Sequence, residues 1–262
     1  MSLVVKNLSK KYGEKTALEN LNFEMDGPGV YALLGTNGAG KTTAIRMMLN
    51  MLSRDSGEVL WNGEPLDTAT CNVGYLAEER GLYPKYTLMD QLSKGNQQKI
   101  QFMMALVSDP ELIILDEPMS GLDPVNTDLF RSIIHEEIEK GKYLIMSSHQ
   151  MATVEEFCTD IIILNRSRTI LQGNLNEIKK SFGRIHLSLK VEQNIESYIE
   201  QAGVGMLSEK EFEYELKVSG EEQANQLLGM LIADKIPVIR FDLREPSLHE
   251  IFVKKVGEAN EA

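Results

Sequence analysis

A nine-residue segment constrains the fold of this chain more than any other feature: Gly35-Thr36-Asn37-Gly38-Ala39-Gly40-Lys41-Thr42-Thr43. It follows the apolar run of residues 30–34 and precedes a predicted helix over residues 41–52, so it joins a buried strand to a helix. Glycines let successive backbone N–H groups converge on one point, and the positive end of the following helix lies there too. The pattern predicts a loop that binds phosphate groups, with Lys41 adding charge and the Thr42 hydroxyl binding Mg²⁺.

A second apolar run, residues 112–115, ends in two carboxylates, Asp116 and Glu117. We expect Asp116, at the end of a buried strand, to reach Mg²⁺ through water. Glu117 should point to the opposite side of the strand end, where it could polarise a water molecule that attacks a phosphate. Adjacent acids in such a place are often merely solvated, but beside a phosphate loop they predict phosphoryl-transfer chemistry.

Charge and composition exclude several classes of protein. The net charge of −12 argues against a protein that coats nucleic acid, because such proteins present a basic face. The longest apolar run, residues 102–107, is far shorter than the roughly 20 residues of a membrane helix. The first residues lack the pattern of a secretory signal, and the two cysteines form no CxxC pair. We therefore expect a cytoplasmic protein without a nucleic-acid partner.

The hydropathy pattern changes character near residue 183. Before it, short buried strands alternate with helices, which predicts an α/β domain over residues 1–182. After it, apolar and polar residues alternate along strands that have one solvated face. The order strand-helix-strand-strand-helix-strand predicts a small α+β domain of ferredoxin-like type over residues 183–262. This second domain contains no chemical motif.

Taken together, the motifs resemble those of the ATP-binding cassette (ABC) family. Leu92-Ser93-Lys94-Gly95-Asn96 resembles the signature of that family, usually LSGGQ, and Ser120-Gly121-Leu122-Asp123 resembles its D-loop. Ser147-Ser148-His149 resembles the loop of the switch histidine, which steadies the γ-phosphate. The resemblance implies that Ser93, Gly95 and Asp123 contact nucleotide.

Two further positions resemble nucleotide-site residues of the same family. Tyr12, in Lys11-Tyr12-Gly13, resembles the aromatic residue that stacks on adenine. Glu78 falls where the family commonly has the glutamine of its Q-loop, and as a carboxylate it could meet Mg²⁺. With the phosphate loop, Glu117 and His149, these residues make up the site that the resemblance implies for Mg²⁺ and ATP.

The resemblance implies a P-loop NTPase core with a mixed sheet, and an ATP-hydrolysing cassette that pairs head to tail with a second copy. Residues 75–85 and 244–252 look like ABC-2-type exporters near the sodium-extrusion cassettes. Such cassettes lie on the inner face of the membrane and drive a separate transmembrane permease. Two alternatives stay open: a non-transport ABC ATPase, and a regulatory cassette that binds ATP without useful turnover.

The chain departs from the family pattern at one place. Leu92 follows Glu78 by 14 positions, whereas family members carry a helical subdomain between these loops. That subdomain is therefore missing or shortened here. The phosphate loop and the paired carboxylates lie outside the gap, so we expect nucleotide binding to survive. Signature placement, turnover and coupling to transport depend on the missing segment.

Overall fold

The computed structural model describes residues 1–78 and 93–261. The predicted shortening between Glu78 and Leu92, and Leu92 itself, lie outside the described residues. Two compact units are present, the first formed by Met1–Leu175 with the segment from Lys254 onward, the second by Asn176–Val253. None of the described helices combines the length and the apolar character that a membrane crossing requires.

The first unit begins with an antiparallel sheet of four strands. The predicted strand over residues 2–5 is much longer in the structure, because pairing continues to Tyr12 and Lys15 at either side of a tight turn. Gly13 adopts a φ of 60° in this turn, a conformation that glycine permits without cost. The strands, in hydrogen-bonded order, are β2 (Lys15–Met25), β1 (Leu3–Tyr12), β4 (Ser56–Trp61) and β5 (Glu64–Pro65).

The second sheet of this unit confirms the predicted mixed α/β core. Five strands are parallel, and the sixth pairs with its neighbour antiparallel. The strands that contain the apolar runs 30–34 and 112–115 are buried along their whole length, as expected for strands covered on both faces. The order is β10 (Arg168–Asn174), β9 (Asp160–Asn165), β3 (Gly29–Leu34), β8 (Tyr143–Ser148), β7 (Leu112–Asp116) and β6 (Val73–Leu76).

Helix α1 begins at Lys41 as predicted but ends at Met48 instead of residue 52. Asn50 adopts a φ of 55°, and the N–H groups of Asn50 and Met51 donate to the carbonyls of Met47 and Arg46. This left-handed cap ends the helix, because it satisfies carbonyls of its last turn. The other helices are α2 (Lys94–Leu106), α3 (Pro124–Glu139), α4 (Met151–Glu155), α5 (Leu175–Phe182), α6 (Glu196–Gln201), α7 (Glu221–Ala233) and α8 (Leu248–Glu261).

The second unit has the predicted ferredoxin-like strand order. Its strands β11 (His186–Val191), β12 (Gly205–Lys210), β13 (Glu213–Lys217) and β14 (Val238–Arg244) pair antiparallel in the order β12-β13-β11-β14. The predicted boundary lay after residue 182, whereas the units divide before Asn176. The N–H of the buried Leu175 donates to the Thr159 carbonyl, and Leu175 is the last residue of the first unit before the division.

Candidate functional site

The loop Gly35–Lys41 turns tightly between β3 and α1. A Cβ atom at Gly35 would lie 2.5 Å from the Leu164 carbonyl oxygen, and one at Gly40 would lie 2.7 Å from the Ala17 carbonyl oxygen. Both glycines also have positive φ, so other residues would strain the backbone there. The rim of the loop, Thr36, Asn37 and Gly38, is exposed, whereas Ala39 and Gly40 are buried.

A cleft of about 350 Å³ lies over this loop. Among its walls are residues that the sequence predicted for nucleotide binding: Tyr12, Asn37, Gly38, Gly40, Lys41, Thr42, Thr43 and Glu78. The cleft therefore extends from the predicted adenine-stacking residue to Thr42 and Glu78, two of the three predicted metal ligands. The predicted set of site residues lacks four further wall residues: Lys15, Thr16, Ala17 and Ser167. The hairpin turn after Tyr12 could have indicated the first three, but Ser167 carries no local signal.

Asp116 is fully buried at the end of β7. The Ser147 hydroxyl donates to its Oδ1 at 2.5 Å and accepts from the Glu117 N–H at 2.9 Å. Burial raises the pKa of Asp116, and the hydrogen bonds from Ser147 and Thr42 oppose that shift. Within the described part of the chain, Asp116 Oδ2 is buried without a hydrogen-bond partner. A bare carboxylate oxygen beside a threonine hydroxyl is a donor set that suits Mg²⁺.

Glu117 is the centre of the site. Its Oε1 lies 3.2 Å from Lys41 Nζ and its Oε2 lies 2.9 Å from His149 Nδ1, with both Glu117 and Lys41 almost completely buried. Lys41 Nζ also donates to the Gly35 carbonyl at 2.8 Å. Glu117 has a φ of 50°, and its side chain contacts Lys41 of the phosphate loop. Glu117 thus contacts both of the other residues predicted to be catalytic.

Ser93 and Asp123 cap helices and do not line the cleft. Ser93 Oγ accepts from the Asn96 N–H at the start of α2. Asp123 accepts from the Asn126 N–H at the start of α3, and this bond lowers the pKa of its carboxylate. Gly95, in the first turn of α2, lies outside the cleft wall as well.

Gln98 is a contact of the site that sequence reasoning missed. Its side-chain amide donates to the Pro118 carbonyl at 2.6 Å and to the Glu117 carbonyl at 3.3 Å. These bonds join α2, which begins within the signature-like segment, to the backbone that carries Glu117. No sequence pattern indicated this link, because the two segments are distant along the chain.

Replacing Asp116 with Asn should stabilise the ligand-free protein while abolishing its response to Mg²⁺. Asn keeps the acceptor for Ser147 but removes a charge that burial disfavours. We expect the melting temperature to rise by a few degrees, since about 1 kcal/mol corresponds to about 2–4 °C at this size. Thermal unfolding with and without Mg²⁺ and ATP measures both effects.

The pH dependence of that stabilisation has a definite sign. Because the pKa of Asp116 is raised in the folded state, its favourable contribution is greatest at low pH and is lost as the pH rises through that pKa. The gain from Asn should therefore be largest at neutral pH and vanish in acid. Asp109 is a control of opposite sign, because its pKa is lowered by Lys142. A loss of stability in Asp116→Asn at neutral pH would contradict this account.

Comparison with known proteins identifies the family. A family model described as an ABC transporter matches residues 18–91, an AAA-domain model matches residues 82–155, and the model of the DrrA1-3-like ATP-binding protein C-terminal domain matches residues 173–256. Among solved structures, one described as the ATP-binding subunit of an ABC transporter is 28% identical with a TM-score of 0.62. That match covers 70% of this chain and 93% of the other.

Two curated relatives span almost the whole chain. The bacitracin transport ATP-binding protein BcrA of Bacillus licheniformis is 26% identical over 98% of both proteins. The ABC transporter ATP-binding protein YhaQ of Bacillus subtilis is 36% identical over 99% of this chain and 100% of its own length. That alignment has 298 positions against 262 residues here, so YhaQ has at least 36 positions that this chain lacks. On this similarity, the chain belongs to the ATP-binding proteins of ABC transporters.

Proposed function

We propose that this chain binds Mg²⁺ and ATP in the cleft and hydrolyses the γ-phosphate bond with Glu117 as the base that orients water. The contact of Glu117 with both Lys41 and His149 is the observation that carries this proposal. Lys41 binds the β- and γ-phosphates, and His149 steadies the γ-phosphate. Positioned charges of this kind supply most of the catalysis in phosphoryl transfer.

The residues at the end of β7 fit a magnesium ion. Among the residues that the structure describes, Asp116 has a buried Oδ2 without a hydrogen-bond partner. The Thr42 hydroxyl lies beside this carboxylate, and both Thr42 and the exposed Glu78 line the cleft. Among the described residues no group of three or more His, Cys, Asp or Glu side chains could hold a metal alone. This agrees with the habit of Mg²⁺, which takes one or two carboxylates together with phosphates of the substrate. When bound, the ion neutralises charge on the phosphates.

Replacing Tyr12 with Ala should weaken ATP binding by about tenfold, because stacking of a base on an aromatic ring contributes about 1–3 kcal/mol. Tyr12 lines the cleft and is half exposed, and Lys10 Nζ lies 5.5 Å from the centroid of its ring. Tyr12→Phe keeps the ring and should bind ATP normally. Equilibrium binding of both variants measures the difference, and equal affinities would remove Tyr12 from the adenine site.

Ser93, Gly95 and Asp123 fit a role in a head-to-tail pair of cassettes. All three lie outside the cleft wall, and Ser93 and Asp123 are exposed to solvent. We propose that they contact nucleotide bound to a second copy of the chain. In this arrangement, the start of α2 in one copy directs its N–H groups at the γ-phosphate held by the other copy. Within the described part of one copy, none of these three residues lines that copy's own cleft, so they are free to contact the nucleotide of a second copy.

We further propose that the cassette pair works on the inner face of the membrane and drives a separate permease of ABC-2 exporter type. The similarity to a bacitracin transport ATP-binding protein and the DrrA1-3-like C-terminal domain support this assignment. A binding-only regulatory cassette is the second candidate, favoured by the short spacing between Glu78 and Leu92.

Phosphate release distinguishes the two candidates. We expect the purified chain to release phosphate from ATP in a Mg²⁺-dependent reaction, and its membrane partner to change the rate. Tight binding of Mg²⁺ and ATP without release, both alone and with the partner, would favour the binding-only cassette. We also expect a neighbouring gene to encode a polytopic membrane protein, the permease. The absence of such a gene beside this one would argue against the transport role.

A further inference from the structure

The turn between β9 and β10 has an unusual backbone for its sequence. Asn165 pairs with Arg168, so Arg166 and Ser167 form a two-residue hairpin loop. Their φ angles are 46° and 70°, values that favour Asn and Gly in such turns. A non-glycine pair in this conformation persists only when its surroundings hold it, which is typical of functional positions.

Three contacts hold this turn against β2. Ser167 is almost completely buried, and its hydroxyl donates to the Thr16 carbonyl at 2.9 Å. The Ser167 carbonyl accepts from the Glu19 N–H at 2.8 Å. Arg168 adds two bonds to the Glu19 carboxylate, Nε to Oε2 at 2.8 Å and Nη2 to Oε1 at 3.2 Å. The turn thus binds both the backbone and a side chain of β2.

The same two elements contact both ends of the phosphate loop. The Leu164 carbonyl of β9 closely approaches Gly35, and the Ala17 carbonyl of β2 closely approaches Gly40. The phosphate loop, β2 and the β9–β10 hairpin therefore form a closed ring of contacts, in which Ser167 and Arg168 link the hairpin to β2. Thr16 and Ser167 both line the cleft, as does Tyr12.

We propose that Ser167 is a positioning residue that fixes β2, and with it the base-binding end of the nucleotide cleft, at a set distance from the phosphate loop. Its hydroxyl is already donated to Thr16, so it acts through the strand and not on the nucleotide. This inference rests on the proposed ATP site and adds a determinant of base recognition to it.

The test compares ATP with inorganic tripolyphosphate, which has the phosphates of ATP but no base. In Ser167→Ala we expect ATP affinity to fall about fivefold to tenfold, the effect of one lost hydrogen bond, with tripolyphosphate affinity unchanged. The KM for ATP should rise by the same factor while kcat stays constant, because the phosphate loop is intact. Asn62→Ala is a matched control, since Asn62 also has positive φ in a hairpin turn and accepts from the Ser2 N–H, but lies outside the cleft wall.

Each outcome decides between positioning and a general structural role. Equal losses for ATP and tripolyphosphate, no loss of ATP affinity, or the same selective loss in Asn62→Ala would overturn the proposal. If Ser167→Ala does not fold, Arg168→Gln serves instead, with an expected loss of about two- to threefold for ATP alone. A wild-type chain that binds neither ligand would refute the ATP site, and with it this inference, whereas the outcomes above would refute the positioning role alone.

Discussion

ATP turnover by Glu117→Gln is expected to fall by a factor of about 10² to 10⁴, the usual contribution of a general base. Glutamine matches the size of Glu117 but cannot accept the proton of an attacking water. ATP should still bind, because the substitution releases Lys41 from an ion pair that phosphates would otherwise have to replace. Steady-state phosphate release and equilibrium ATP binding on the same preparation measure the two effects separately.

Glu137→Gln provides the matched control. Glu137 is also a buried glutamate in α3, and its Oε1 lies 2.6 Å from Nζ of Lys140, the residue that caps this helix. Neither residue lines the cleft. We expect this variant to keep normal turnover. Unchanged hydrolysis in Glu117→Gln would remove Glu117 from its proposed role, and equal losses in both variants would point to destabilisation instead.

Lys41→Ala should weaken ATP binding by about 10-fold to 100-fold, because a charge-assisted hydrogen bond contributes about 1.5–3 kcal/mol. It should also destabilise the ligand-free protein by about 3 kcal/mol, since the variant leaves the buried Glu117 without its counter-charge. Calorimetric titration with ATP and urea unfolding report the two effects.

The double variant Lys41→Ala with Glu117→Gln separates binding from stability. Removing both charges should restore most of the lost stability, because no buried charge stays unpaired. ATP binding should stay weak, since the ammonium group is still absent. If the double variant is no more stable than Lys41→Ala alone, the ion pair between Lys41 and Glu117 does not contribute as the structure indicates.

The sequence predicted those parts of the fold that depend on local patterns. The glycines before Lys41 and the apolar run before them specify strand, loop and start of helix within one short segment, and the structure confirms this order. The alternating strands after residue 183 likewise predicted the ferredoxin-like unit, because period-two burial is a local signal. The ABC family assignment is confirmed by the comparisons.

The sequence could not predict features that depend on distant contacts. Ser167 reaches the cleft through a hydrogen bond to Thr16, 151 positions away, and nothing in its neighbourhood indicates this. The positive φ angle of Glu117 has no signal in the local sequence pattern. The end of α1 at Met48 depends on a left-handed cap at Asn50. The apolar pattern continues past Met48 and therefore predicts a longer helix. The individual roles of the site residues stay predictions.

Calorimetric titration of the folded wild-type chain with ATP, in the presence and absence of Mg²⁺, measures whether the cleft binds a nucleoside triphosphate. We expect saturable binding of one ATP per chain, with a higher affinity in the presence of Mg²⁺ because Asp116 Oδ2 and Thr42 complete the metal site. Absence of binding heat at several temperatures, in protein whose cooperative unfolding shows it to be folded, would contradict the claim that this cleft holds a nucleoside triphosphate.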